Sequence, residues 1–167
     1  MVNWFKNWFE KPLDPISFDF LKTDMHSHLI PAIDDGAVSL EDSINMIKSL
    51  RELGYQKIIT TPHVMSDFYK NTPETILNGL ELVRAKLQKQ NIDVQLEAAA
   101  EYYLDYDFEQ KIKEGNLLTF SDNYILVETS FIEAPPNFKD LIYKLQVVGY
   151  KVILAHPERY LFMSIDD

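Results

Sequence analysis

The sequence predicts an α/β protein built on parallel strands. Short β-type runs alternate with capped amphipathic helices, the central runs are apolar enough to be buried on both faces, and the histidines sit at run ends, none on a helix. The runs fall at residues 21–26, 57–61, 94–100, 124–129 and 151–155, which makes about five βα units. Such units build either an open doubly wound sheet or part of a (βα) barrel, and the polar residues decide between them.

Each element has a local reason. Trp4, Phe5, Trp8 and Phe9 recur at helical spacing beside Lys6 and Lys11 and are ended by Pro12 and Pro15. They predict a short aromatic helix in an N-terminal extension, residues 1–20, that packs on the domain or serves as a handle for a partner or a membrane surface. The main domain spans 21–167. After its first run, Ser39 stands as an N-cap with Asp42 three residues on, and Leu40, Ile44, Ile47 and Leu50 form an apolar stripe before Gly54. Thr72-Pro73 opens the next helix, with Ile76, Leu80, Val83 and Leu87 on one face. A shorter helix is expected over 107–114, closed by Gly115. The last follows Pro135-Pro136, with Phe138, Leu141, Leu145 and Val148 inward and Gly149 at its end. No repeat or low-complexity linker divides the chain.

Composition excludes several classes. A chain of 167 residues, 46 % hydrophobic, can bury one core, and two full domains would be cramped. The net charge of -10 argues against nucleic-acid or anionic-membrane binding, which gathers Lys and Arg against phosphates. With no cysteine there is no disulfide, no thiolate ligand and no cysteine nucleophile. No apolar run approaches the ~20 residues needed to cross a bilayer, and the start lacks the order of a signal peptide, so the expected location is the cytoplasm.

Every run aims a candidate ligand at one rim. His26 and His28 follow the first, His63 the second and His156 the fifth, while Glu101 and Glu128 end the third and fourth. A lone histidine is more often a surface or hydrogen-bonded core residue. Six nitrogen and oxygen donors on one rim predict a metal centre. His26 and His28, one residue apart, share a face of an extended strand and can grip one ion together. Imidazole with carboxylate suits manganese in first place, with iron or zinc as alternatives, and a carboxylate such as Glu101 can bridge, so two or three ions are expected.

These residues also carry a family resemblance. Asp24-Met25-His26-Ser27-His28, Thr60-Thr61-Pro62-His63, Ala99-Ala100-Glu101-Tyr102, Glu128 and Ala155-His156-Pro157-Glu158-Arg159-Tyr160 resemble the successive motifs of the polymerase and histidinol phosphatase (PHP) superfamily. Ile33-Asp34-Asp35-Gly36 and the His-Pro-Glu-Arg-Tyr stretch resemble its branch of bacterial capsule and exopolysaccharide tyrosine phosphatases. The resemblance implies a distorted (βα)7 barrel and a metal-dependent phosphomonoester hydrolase. Its implied substrate is phosphotyrosine on a tyrosine kinase that controls polysaccharide export, which brings peripheral membrane proximity. It also implies that His26 and His28 hold one ion, that Glu101 bridges to a second completed by Glu128 and His156, and that His63 helps hold a third. Asp34 or Asp35 would be the further carboxylate near the third ion, and Arg159 the phosphate-binding arginine. Arg159 has an alternative as an ion pair with Glu158. Tyr69, Tyr102 and Phe131 lie near the expected rim, with no residue assigned to the phosphotyrosine ring.

One motif of the family is missing. An Asp-x-His on a later strand supplies two further ligands there, and nothing after Tyr160 matches it. The expectation is therefore a C-terminally truncated member with an incomplete barrel, prone to homo-oligomerisation or to weak metal occupancy. Competing readings are another PHP phosphoesterase acting on histidinol phosphate, an amidohydrolase, which usually needs a bridging modified lysine absent here, and a catalytically dead metal-binding remnant.

Overall fold

The computed structural model describes residues 18–163. The aromatic helix expected near the start of the chain lies outside them. In chain order the elements are β1 (Thr23–Ser27), α1 (Leu40–Glu52), β2 (Lys57–Thr60), β3 (His63–Val64), α2 (Pro73–Lys89), β4 (Gln95–Ala98), β5 (Glu101–Tyr103), α3 (Phe108–Glu114), β6 (Tyr124–Glu128), α4 (Phe138–Val147) and β7 (Lys151–Leu154). Two single-turn 3-10 helices follow, Pro157–Arg159 and Leu161–Met163.

All strand pairs are parallel, in a sheet of order β1-β2-β4 and another of order β3-β5-β6-β7. The second and third predicted runs, 57–61 and 94–100, correspond to β2 and β4, and each is followed beyond its predicted end by a further short strand, β3 or β5. Residues 61–62 separate β2 from β3, and residues 99–100 separate β4 from β5. Hydrogen bonds carry the ladder across both breaks, from Ala99 N–H to Thr60 O at 2.9 Å and from Glu101 N–H to Pro62 O at 3.1 Å. Five strand positions therefore lie side by side in chain order.

Side-chain parity separates two faces. Ile58, Leu96, Val64, Tyr102, Ile125 and Val127 pack with the buried residues of the helices, among them Ile44, Ile76, Leu80, Leu87, Phe108, Ile112 and Leu141. Residues of opposite parity, Ile59, Ala99, Leu126 and Ala155, form a separate small cluster with Phe120. Among the described residues helices α1 to α4 thus cover one face, which is the singly wound arrangement. The sheet also curls. Across four spacings of ~4.8 Å the edges of a flat sheet would stand roughly 19 Å apart, yet the rings of His26 in β1 and His156 just beyond β7 are 5.7 Å apart.

The helices form where their caps and stripes place them. Ser39 accepts from Asp42 N–H at 3.1 Å, and Thr72 with Thr75 completes a capping box around Pro73 at the first turn. Ile76, Leu80, Val83 and Leu87 are all buried. α3 ends at Gly115 in the left-handed conformation, φ 72°. One stripe position differs: Val148 is 57 % exposed, because α4 stops at Val147 and the chain turns outward toward Gly149.

Candidate metal centre

The parity that gives the sheet its concave face also aims the acids. Glu101 shares parity with Ala99, and Glu128 with Leu126, so both project onto the concave side at the C-terminal end of the strands. β1 reaches the same side by a different device. Its ladder places Asp24 opposite Ile58 and Ser27 opposite Thr60, so three residues of β1 span two of β2. This β-bulge lets Met25 and His26, neighbours in sequence, serve the same face: Met25 lines a lower pocket with Ile59, and His26 lines the upper cleft. His156 is directed by backbone strain, with φ 32° and ψ 57°, the left-handed region for a non-glycine residue, between β7 and Pro157.

These devices converge on an open cleft of about 770 Å³ lined by His26, His28, Asp35, His63, Glu101, Glu128, His156 and Arg159. Glu101, with no exposed surface, is at its centre. Its Oε1 is 2.9 Å from His156 Nε2 and 3.5 Å from His26 Nε2, and its Oε2 is 3.2 Å from His63 Nδ1 and 3.3 Å from His28 Nε2. Glu128 lies 3.2 Å from His63 Nδ1 and 3.3 Å from His156 Nε2. Asp35, 65 % exposed, approaches His63 Nε2 at 3.5 Å.

Asp34 and Asp35, adjacent in sequence, occupy different places. Asp34 is buried behind the cleft, where its Oδ2 meets His28 Nδ1 at 2.7 Å and accepts from His63 N–H at 3.0 Å, and its Oδ1 accepts from Gly36 N–H at 3.0 Å. Its oxygens are spent on orientation, while those of Asp35 face the cleft. On the other side, His26 Nδ1 meets Thr61 Oγ1 at 2.7 Å. In both histidines an outer contact at Nδ1 leaves Nε2 turned inward, the arrangement that readies imidazole for a cation. Thr61 was open to detection in the sequence as a polar side chain at the end of an apolar run.

The electrostatics express a surplus of donors in a small space. Burial pushes His28 down, but the carboxylates of Asp34 and Glu101 outweigh it and raise it to about 9. Burial pushes Glu101 up, and the close approach of the His28 ring with the neighbouring imidazoles brings it below the usual carboxylate range. His63 is raised against burial by Glu128 and Glu101, whereas burial prevails at His26 and lowers it. Even so, Glu101 Oε2, His63 Nδ1 and His156 Nδ1 are buried without a hydrogen-bond partner. Three trios have their donor atoms within 4.8 Å of one another: His26, His28 and Glu101; His28, Asp35 and His63; His63, Glu101 and Glu128. Donors around one cation at ~2.1 Å stand roughly 3–3.5 Å apart, which is the spacing of the central contacts. The residues fit a cluster of cations bound through nitrogen and oxygen.

Around this core, Tyr69 stacks on His63 with centroids 5.5 Å apart and planes at 10°. Phe131 meets His156 edge-on at 5.5 Å, and the Arg159 guanidinium lies 4.9 Å above the Phe131 ring. The alternative ion pair of Arg159 with Glu158 is not formed among the described residues. Tyr102 does not reach the cleft. It is buried among the helices and its hydroxyl accepts from Leu118 N–H, because one step along the strand from Glu101 reverses the face; Tyr103 lines the cleft instead.

Comparisons with known proteins place the chain in a family. A family model described as capsular polysaccharide synthesis, CpsB/CapC, matches residues 22–166. The tyrosine-protein phosphatase YwqE of Bacillus subtilis is 36 % identical over 137 residues, 81 % of this chain and 54 % of that protein. The tyrosine-protein phosphatase CpsB of Streptococcus agalactiae is 25 % identical over 138 residues, 82 % of this chain and 57 % of that protein. A solved structure from work on YwqE of Bacillus subtilis and CpsB of Streptococcus pneumoniae, described as unique metal-dependent tyrosine phosphatases, has a TM-score of 0.76 at 36 % identity, covering 82 % of this chain and 56 % of that one. The chain spans about half the length of the curated relatives it matches.

Proposed function

Because the chain belongs to the CpsB/CapC family of capsular polysaccharide synthesis, we propose that its cleft serves a metal-dependent phosphomonoester hydrolase that removes phosphate from tyrosine side chains. The observation that carries this is the convergence of four imidazoles on the buried carboxylate of Glu101, within 3.5 Å in every case. In this reading the cations would be held by His26 and His28, by Glu101 with Glu128 and His156, and by His63 with Asp35. Manganese is the first candidate, with iron or zinc as alternatives. Such cations, when bound, acidify water and neutralise phosphoryl charge. The chain's own residues do the rest. Asp34 and Thr61 hold two imidazoles in register, Arg159 offers a planar pair of donors to phosphate oxygens, and the aromatic walls at Tyr69 and Phe131 exclude water and face an aryl group.

The five-strand arc is read as part of a distorted (βα)7 barrel of PHP type, with the domain running from residue 21 and residues 1–20 as an extension. A tyrosine kinase tail in polysaccharide export is the proposed substrate, which places the protein in the cytoplasm near the membrane; self-association is proposed as well. Among the described residues no helix is long and apolar enough to cross a membrane. The test is hydrolysis of a phosphotyrosine peptide against histidinol phosphate with added manganese. Turnover of the peptide that disappears in Glu101→Gln supports the proposal. Preference for the small ester would move the chain to a different phosphoesterase, and metal binding without turnover of either would leave a binding remnant.

A further inference from the structure

Arg159 is exposed and lines the cleft, yet among the described residues it pairs with no carboxylate. What holds it is the face of Phe131, 4.9 Å from the guanidinium carbon. The difference has chemical consequences. A carboxylate partner would occupy two N–H donors and cancel the charge, whereas an aromatic face attracts the cation through its quadrupole and takes none of the in-plane donors. Phe131 is itself fixed from several sides. Its ring abuts His156 at 5.5 Å and Tyr160 at 5.7 Å, and its carbonyl accepts from Leu161 N–H at 2.8 Å. Thr129 N–H reaches the Tyr160 hydroxyl at 3.4 Å, which ties the loop after β6 to the segment carrying Arg159 a second time.

We propose that Phe131 is a positioning residue for phosphate recognition: its ring carries the Arg159 guanidinium at the mouth of the cleft with its N–H donors free for an oxyanion. This rests on the reading of the cleft as a phosphoesterase site. A surface arginine without such a platform samples many rotamers and must be ordered as the anion arrives; the ring removes much of that entropy cost in advance. The same ring touches His156, so the phosphate-facing arginine and a candidate metal ligand share one support.

The experiment measures inorganic phosphate binding to the manganese-loaded protein by calorimetry, and the proton shifts of the Arg159 side chain in the cation-free protein, where no paramagnetic ion broadens them. The ring current of Phe131 is expected to move those protons upfield in the wild type. Phe131→Leu is expected to abolish that shift and weaken phosphate about three- to fivefold, with manganese content unchanged, while Phe131→Tyr retains both. In an Arg159→Ala background, Phe131→Leu should add nothing. An equal loss in that background would show that Phe131 acts through His156 or the fold and would overturn the proposal, as would wild-type phosphate affinity in Phe131→Leu. If Phe131→Leu does not fold, the shift and affinity of Phe131→Tyr against Arg159→Lys decide: Lys carries the charge without the planar fork, so equal phosphate affinity sinks the idea. Failure of the phosphatase reading is distinguishable, because the ring-current shift is read without turnover.

Discussion

Asp34 shows how much of a candidate metal site lies behind its lining. Its carboxylate touches the His28 ring, the His63 backbone and Gly36, and contributes nothing to the cleft wall. Asp34→Asn, nearly the same in shape, replaces an acceptor facing His28 Nδ1 with an amide that can present N–H to it. Manganese affinity is expected to fall about 10- to 100-fold, the usual cost of losing an outer partner, with little change in the cation-free melting temperature. Calorimetry checks this, and unchanged affinity would assign Asp34 to folding alone. His28 sets the pH dependence. Without a cation it keeps its proton up to about 9, and a cation must displace that proton, so binding weakens as pH falls. Below about pH 9 the apparent affinity should drop toward tenfold per pH unit for this one group. Titrations at several pH values check it, and a flat profile would remove His28 from the ligand set. At this scale the sequence was legible in residue types and opaque in directions. The histidines and Glu101 declared themselves at run ends, but Asp34 and Asp35 are chemically identical neighbours whose opposite duties depend on the turn that Gly36 allows.

That turn is an element-level feature. The loop after β1 folds back so that Ala37 N–H reaches His28 O at 3.1 Å, and Gly36 lies directly against His28. A Cβ there would come within 2.3 Å of both His28 Cβ and its carbonyl oxygen. Gly36→Ala must therefore push the loop from β1, costing about 1–3 kcal/mol and weakening manganese binding along with thermal stability. Thermal melts with and without metal read both, and loss of stability with full metal affinity would count against the coupling. Helices α1 and α2 were readable because caps and stripes are local signals. The short strands β3 and β5 were not, because pairings of two or three residues carry too little alternation to read as runs, and they lie past the ends of the apolar stretches 57–61 and 94–100. The bulge in β1 was equally hidden: nothing in Asp24-Met25-His26 announces that three residues oppose two. Tyr102 was recoverable, since alternation from Glu101 sends it into the helical layer.

At the scale of the molecule, the candidate ligands come from every strand position and include both edges of the sheet. A cation bound among them ties β1 to the segment after β7, elements that share no strand pairing among the described residues. Manganese at a hundredfold excess over its dissociation constant should add about 2.7 kcal/mol of stability, a rise in melting temperature of roughly 5–10 °C for a chain of this size. A chelator should reverse it, and an unchanged melting curve would mean that the ion does not bridge the edges. Strand order following chain order was foreseeable from the βα alternation, while the curl was not, because curvature is a collective property of twist and packing.

The meeting of His26 with His156 has a further consequence for when the site comes into being. The two rings, 5.7 Å apart, are separated by 130 positions of chain, from 26 to 156. A pairing of such long range closes late, after the intervening units have stacked. Cation binding at this candidate site is then expected to come late, and manganese uptake followed during refolding checks it, early uptake counting against the idea.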